Sequence, residues 1–461
     1  MSEISVLILA AGMGTRMKSR SSKVMHQIAG RPMISYPLDF AKVLKSKRVF
    51  SIVSPAQSDV KEYLKENKHT FVIQSKPLGT AHAVLAAKKA LEGFKGYVLI
   101  LSGDVPLLKQ ETILNFVKRV QEKKATLGLI TMQLQDAKQY GRVIRDLDAR
   151  VIKVKEAKNA TEAELQITEA NAGVYCVKAE FLFKSLKKIK ADTLTHEYYL
   201  PEIIPQAVKE NHSIFTFVSS DETEFLGVNN RVDLAYAEKL MRKRINTTHM
   251  LNGVTFVDPE NTYVDADVKI GEDSIIFPGA HLQGASSVGS SCVIEHSVVL
   301  KNATLSNSVC VKSMSSIEES KVAEGAVVGP FARIRPGTSI GEKVKIGNFV
   351  EIKKSVLKKG AKVSHLTYLG DSVIGADANI GCGTITCNYD GNQKHKTIIG
   401  DRAFVGSDVQ FIAPVSIGAG STIGAGSTIT KNVPPNVLAL SRAEQVIIKS
   451  WQPKWKRKKK K

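Results

Sequence analysis

From residue 253 onward the aliphatic residues recur every six positions, and that period excludes most of what a chain can fold into. Val264, Ile270, Ile276, Leu282, Val288, Ile294 and Leu300 form one run, and Val328, Ile334, Ile340, Ile346 and Ile352 a second. Ile374 and Ile380 form a third, and Ile399, Val405, Phe411, Ile417, Ile423 and Ile429 a fourth. An amphipathic helix repeats every 3.6 residues and a half-buried strand every two, so neither fits. A coil of hexads fits. Each hexad gives a short strand and a turn, three hexads close a triangular coil, and the aliphatic side chain stacks inward on its equivalent one coil below. Glycine often follows the aliphatic residue, as in Ile270-Gly271, Ile340-Gly341, Ile346-Gly347 and Ile423-Gly424, where the chain must turn a corner. A parallel β-helix of hexapeptide repeats is therefore expected over 253–461. The rhythm breaks over residues 386–396. A loop leaving a regular prism reads as a ligand-binding feature, with a plain connector as the alternative.

The first half has a different grammar. Apolar runs at 6–9, 49–53, 71–73 and 98–101 alternate with amphipathic stretches such as 58–66 and 80–91. This βαβ rhythm predicts an α/β domain over 1–230, Rossmann-like, with a mainly parallel sheet and helices on both faces. Ligands of such sheets bind beyond the carboxyl ends of the strands. Residues 231–252 read as a linker helix. Val232, Ala235, Tyr236, Leu240 and Met241 fall at helical spacing, and Asn229-Asn230 offers an N-cap.

Composition narrows the function classes. The 461 residues exceed what one domain needs, and no disulfide staple is required to stabilise them. The five cysteines, at 176, 292, 310, 382 and 387, are scattered and include no CxxC pair, which argues against a disulfide framework and a cysteine zinc site. No apolar run is long enough to span a membrane. The apolar stretch at 4–11 follows Glu3 with no basic residue before it, so it reads as a first strand feeding a glycine loop rather than a signal peptide. A cytoplasmic protein is expected. Lys plus Arg outnumber Asp plus Glu by 65 to 44, a net charge of +21, and the last eight residues carry seven of the positive charges. Such a balance favours anionic partners: nucleotides, sugar phosphates, nucleic acid or acidic lipid.

Leu9-Ala-Ala-Gly-Met-Gly-Thr-Arg16 follows the first strand, where glycines let backbone N–H groups approach phosphate and Arg16 and Lys23 add charge. It is neither a P-loop nor a dinucleotide fingerprint. Gln74, Leu78-Gly-Thr-Ala81 and Leu101-Ser-Gly-Asp-Val-Pro106 follow, with Asp104 at the ligand-binding edge of a strand. On this combination the first half resembles a sugar nucleotidyltransferase. With the hexapeptide half it resembles the bacterial bifunctional N-acetylglucosamine-1-phosphate uridyltransferase / glucosamine-1-phosphate acetyltransferase family, from Val6 to Trp451. The resemblance implies that Leu9, Ala10, Ala11, Gly12, Arg16, Lys23, Gln74, Gly79 and Thr80 hold the uridine nucleotide, UTP, and its phosphates. Ser102, Gly103 and Asp104 are implied in the same site. Gly141, Glu156 and Asn171 match sugar-contacting positions, and Asp104 with Asn229 the Mg²⁺ positions. Ser21-Ser22 replaces the family's Leu-Pro before Lys23, a change expected to loosen that loop.

In the second half, acetyl transfer to an amine needs a base, and histidine suits this near neutral pH. A single histidine is more often structural, but His365 sits in Ser364-His-Leu-Thr-Tyr-Leu-Gly370, which matches the family's catalytic base. Glu351 is a candidate to orient it. Arg335, Lys353, Tyr368 and Asn379 match positions that bind the acceptor sugar phosphate. Cys382, Asn388, Tyr389, Ser407, Ala425 and Arg442 match the acetyl-CoA region, and Lys394 lies in the interrupting loop. The family usually has Ala where Cys382 stands, and direct transfer needs no acyl-enzyme there. The resemblance further implies a left-handed coil and a homotrimer with acetyltransferase sites between subunits.

Two other readings compete. One is a nucleotidyltransferase whose β-helix only assembles or regulates. The other makes the lysine-rich tail a weak, salt-dependent tether to polyanions or acidic lipid, without specific nucleic-acid recognition, since no aromatic platform is interleaved with the charges.

Overall fold

The computed structural model describes residues 3–137 and 139–456. The chain divides into two compact units, Met1–Arg242 and Lys243–Lys461, and the division falls within the helix Arg231–Leu251. Asn230 caps that helix, its side-chain oxygen accepting the backbone N–H groups of Val232 and Asp233 at 2.8 and 2.9 Å.

The first unit is built on one twisted sheet. Its main path runs Ile214–Ser219, Leu127–Gln133, Glu169–Lys178, Tyr97–Ser102, Ile4–Leu9, Arg48–Val53, Thr70–Ile73. The four strands read from the sequence are parallel neighbours at one end of it. Glu169–Lys178 runs antiparallel to both its neighbours and bulges between Asn171 and Tyr175. The central strands Ile4–Leu9, Tyr97–Ser102 and Leu127–Gln133 are buried along almost their whole length, as strands covered on both faces must be. In the first strand Val6 and Ile8 pack with Leu38, Leu64 and Phe116 on one face, and Leu7 packs with Val84, Leu182 and Ile203 on the other.

The second unit is a three-sided parallel β-helix. Each short strand pairs in parallel with the strand three further along, save at the end, where Thr422–Ile423 pairs with Leu438–Ala439, and the sheets have eleven, ten and nine strands. Of the aliphatic positions in the six-residue series, all but Ile270 are buried in one continuous core, and Ile270 packs partly buried against it. The series is not broken between its runs. Leu305, Val311, Ile317 and Val322 carry it from Leu300 to Val328, and Leu357, Val363 and Leu369 carry it from Ile352 to Ile374. The apparent gaps arise because four steps are five residues long: Leu300 to Leu305, Ile317 to Val322, Ile352 to Leu357 and Leu369 to Ile374.

All four short steps lie at the same corner, where the chain passes from the ten-stranded to the nine-stranded sheet. The interrupting loop leaves at that corner as well, between Ile385–Cys387 and Thr397–Ile399. There the inward position is Thr386, whose hydroxyl accepts the Gly370 N–H at 2.7 Å, so a polar residue is tolerated in the core line.

Candidate functional sites

In the first unit a cleft of about 680 Å³ opens beyond the carboxyl ends of the parallel strands. Leu9, Ala10, Ala11, Gly12, Arg16, Lys23, Gln74, Gly79, Thr80, Ser102, Asp104 and Asn229 all line it. Lys23 reaches the Asp104 carboxylate and donates to the Asn229 side-chain oxygen at 3.3 Å. Arg16 donates to the same Asn229 oxygen at 3.0 Å. Two cations and two oxygen ligands therefore converge on one point of the cleft.

Two glycines of the cleft differ in their surroundings. Nothing stands within 4 Å of where a Cβ of Gly12 would be, so its backbone is open to a ligand. Gly79 has φ +99°, and a Cβ there would lie 2.6 Å from the Tyr198 carbonyl oxygen. Buried Gln74 donates to the Gly79 carbonyl at 3.1 Å and so fixes the second glycine turn.

Gly103, Gly141, Glu156 and Asn171 are not among the cleft-lining residues. Gly103 ties strand ends together, its N–H donating to the Leu9 carbonyl at 2.8 Å. Gly141, Glu156 and Asn171 form their own group: the Asn171 N–H donates to the Gly141 carbonyl at 2.8 Å, and the Glu156 carboxylate faces Gly141. Burial raises the Glu156 carboxyl above the usual range, and the charge of Glu197 adds to the rise. Glu197 lines the cleft as well and is not among the residues read from the sequence; it directly precedes Tyr198, whose carbonyl stands beside Gly79.

Ser22 overturns the expectation of a loosened loop. Its backbone N–H and hydroxyl both donate to the Asp59 carboxylate, at 2.7 and 2.6 Å. The turn that carries Lys23 is held by hydrogen bonds where a proline ring is absent.

In the β-helix the expected residues fall at two different corners. At the corner where coil length varies, Arg335 and Lys353 occupy equivalent positions on successive coils, after Ile334 and Ile352. Lys394 comes within hydrogen-bonding reach of Lys353, and this neighbouring ammonium holds Lys353 below the usual lysine range. Tyr368 and Asn388 meet over Gly370, where a methyl group would overlap both, and Asn388 donates to Asp371 at 2.6 Å. Tyr389 bridges antiparallel to Lys394, and its hydroxyl donates to the Gly391 carbonyl at 2.7 Å, closing the loop on itself.

At the next corner, following the eleven-stranded sheet, His365, Cys382, Ser407 and Ala425 stack on successive coils. Asp408 N–H donates to the Cys382 carbonyl at 2.7 Å and Gly426 N–H to that of Ser407 at 2.8 Å. Arg442 reaches back to the Ala425 carbonyl at 3.1 Å. Asn379 belongs to neither corner; it stands in the eleven-stranded sheet between Lys362 and Phe404.

Glu351 is not the partner of His365. The coil between them is 17 residues long, which brings Asn348 beside His365 and Glu351 beside Tyr368. Asn348 Oδ1 lies 3.2 Å from His365 Nδ1, and Glu351 instead pairs with Arg335 at 2.8 Å. An amide oxygen only accepts, so in the neutral ring Nδ1 carries the hydrogen and Nε2 the lone pair. Among the described residues no hydrogen bond or ion pair joins His365 to the Arg335–Lys353–Lys394 group. The lysine-rich end, read as a polyanion tether, lies outside the described residues from 457 on.

Comparison with known proteins agrees with this division. A nucleotidyl transferase family model matches residues 5–227. A GMPPB C-terminal domain model matches 316–411, and a bacterial transferase hexapeptide model of six repeats matches 396–431. A bifunctional protein GlmU from Geotalea uraniireducens is 45% identical over 457 residues, covering 99% of this chain and all of the relative. Proteins of the same name from Geobacter sulfurreducens, 44% identical, and Listeria monocytogenes, 45% identical, cover 98% and 96% of this chain and 99% and 97% of their own lengths. Similarity of this extent, over both units and both sites, means that the chain belongs to the bifunctional GlmU family.

Proposed function

We infer that this chain carries two activities. The second unit transfers the acetyl group of acetyl-CoA to glucosamine-1-phosphate. The first couples the resulting N-acetylglucosamine-1-phosphate to UTP, releasing pyrophosphate and UDP-N-acetylglucosamine. The observation that carries this is the full-length similarity to GlmU proteins, supported by both sets of site residues.

For uridyl transfer, a phosphate oxygen of the sugar phosphate attacks the α-phosphorus of UTP and pyrophosphate leaves. Such reactions are catalysed mainly by positioning and charge. The open backbone around Gly12 receives the nucleotide phosphates, and Arg16 and Lys23 offset their charge. Asp104 and Asn229 already present a carboxylate and an amide oxygen to one cation, the Lys23 ammonium. That donor pair fits Mg²⁺, which takes few protein oxygens beside phosphate and water. When bound, Mg²⁺ supplies charge neutralisation at the phosphates.

For acetyl transfer, His365 Nε2 takes a proton from the acceptor ammonium. The freed amine attacks the acetyl carbonyl and a C–N bond forms; as the C–S bond breaks, the nitrogen gives up its second proton and the sulfur takes one, so the coenzyme leaves as its thiol. Arg335, Lys353 and Lys394 hold the acceptor's phosphate. Base and phosphate site sit at different corners of one coil, separated by a strand of at least three residues, about 10 Å. A neighbouring copy that sets its own corner against this one would bring a base and a phosphate site to the same acceptor.

A homotrimer accounts for this, and the corner that carries His365 supports it. Met314, Phe331, Phe349 and Leu366 stack there on successive coils, each about half exposed and each in the left-handed backbone region. Bulky apolar residues in that conformation are costly unless something packs on them. UTP and acetyl-CoA are intracellular co-substrates, which fits a cytoplasmic site of action.

Two product assays test the reading: free thiol from acetyl-CoA with glucosamine-1-phosphate, and pyrophosphate from UTP with N-acetylglucosamine-1-phosphate. Both are expected from the purified chain. Absence of acceptor-dependent thiol release alongside working uridyl transfer would leave a nucleotidyltransferase with a structural β-helix.

A further inference from the structure

The helix Ser58–Glu66 begins behind the nucleotide cleft, and its first residues touch both sides of that cleft without lining it. Gln57, buried at the helix start, donates through Nε2 to the Ala10 carbonyl at 2.8 Å and the Gly12 carbonyl at 3.4 Å. Its other side-chain atom accepts the Ser54 N–H at 2.8 Å, so the amide is held at both ends. Two residues on, Asp59 accepts the N–H and the hydroxyl of Ser22, the residue before Lys23. One oxygen of the same carboxylate also accepts the Val60 N–H at 2.9 Å, which fixes its rotamer at the helix start. Gln57 therefore holds the glycine loop, and Asp59 holds the turn that aims Lys23 at Asp104 and Asn229.

We propose that Gln57 and Asp59 are positioning residues for uridyl transfer: the start of this helix braces the glycine loop and the Lys23 turn at a fixed separation. The inference rests on the uridyl-transfer reading of the cleft. Burial pushes the Asp59 carboxyl up, but the hydrogen bonds from the Ser22 hydroxyl and backbone outweigh it and hold the group below the usual carboxylate range. The carboxylate is therefore charged at neutral pH, and its bonds to Ser22 are charge-assisted.

The conformation of Ser22 supplies a specific test. Its φ is −58°, the value that a proline ring enforces by itself, and its ψ of 142° is one that proline readily adopts. Removing Asp59 leaves the turn free, and adding proline at 22 restricts it again without the carboxylate. Asp59→Ala is expected to lower kcat/KM for UTP by about ten- to a hundredfold, mainly in kcat, because a displaced charge is missed most where charge develops. Asp59→Asn, which keeps an accepting oxygen but loses the charge, should fall between. Ser22→Pro added to Asp59→Ala should recover most of the loss. Acetyl transfer should match the parent chain in every variant, and every variant should remain fully folded at the assay temperature.

A residue that is merely structural would not be rescued by proline at 22. Unchanged uridyl transfer in Asp59→Ala, or no recovery in the double variant while it stays folded at the assay temperature, overturns the brace alone. If Asp59→Ala does not fold, Asp59→Asn with and without Ser22→Pro decides by the same criteria. A parent chain that forms no UDP-N-acetylglucosamine overturns the uridyl-transfer reading and the brace with it.

Discussion

The two units build their sites by opposite means. In the β-helix a residue's spatial neighbour lies one coil away, 17 or 18 residues along except where the loop intervenes, so contacts follow from addition. Asn348 meets His365 for that reason alone. In the α/β unit, neighbours come from topology. Asp104 and Asn229 are 125 positions apart and meet only because both segments end at the same edge of the sheet. A repeat fold carries its contact map in its period, whereas a sheet fold carries it in the order of its strands.

If the units are as separate in function as in construction, a lesion in one should leave the other untouched. The largest effect is expected from His365→Ala. It should cost about 10²- to 10⁴-fold in acetyl transfer, the usual contribution of a general base, with pyrophosphate release unchanged. Loss of both activities would break the separation. Gly79→Ala makes the reciprocal test. It forces a Cβ against the Tyr198 backbone at a φ that L-residues avoid, at a cost of about 1–3 kcal/mol. Uridyl transfer and the first unit's melting temperature should fall, while thiol release persists.

Asn348→Ala sharpens the arithmetic of the coil. It should lower acetyl transfer about tenfold, as expected when a partner that orients the catalytic ring is removed, and alter its pH profile. Glu351→Gln should act instead through Arg335, raising KM for the sugar phosphate without shifting that profile.

The smallest effect concerns Glu156. Its carboxyl is raised in the folded chain, so the folded state binds this proton more tightly than the unfolded state does. Stability attributable to it is present below the ordinary carboxylate range and is lost as pH rises through its own raised value. Urea midpoints across that interval should fall less steeply in Glu156→Gln than in the parent chain.

The contrast also explains what the sequence disclosed. The inward positions of the coil were legible because each repeats the same chemistry, yet Leu305 to Val322 escaped notice where steps of five broke the count. Glu351 was given the wrong partner because the length of its coil was unknown. In the first unit the strands and the cleft residues were legible, the latter through motif resemblance. The brace was not, because Gln57 acts across 47 and 45 positions on two backbone carbonyls, and Asp59 across 37 positions on the N–H and hydroxyl of Ser22, so no local motif announces either. Reading Ser22 without Asp59 suggested a loose turn, and only the folded neighbour reverses that.

The corner between the ten- and nine-stranded sheets has a consequence for how this half of the chain can change. In an ordinary strand, losing one residue turns every following side chain to the wrong face. Here a residue has gone missing at that corner in four coils, and several have been added in a fifth, yet the next aliphatic side chain points inward every time. The corner acts as an expansion joint. New loops, and with them new ligand contacts beside Arg335 and Lys353, can be inserted there while the core registers no change.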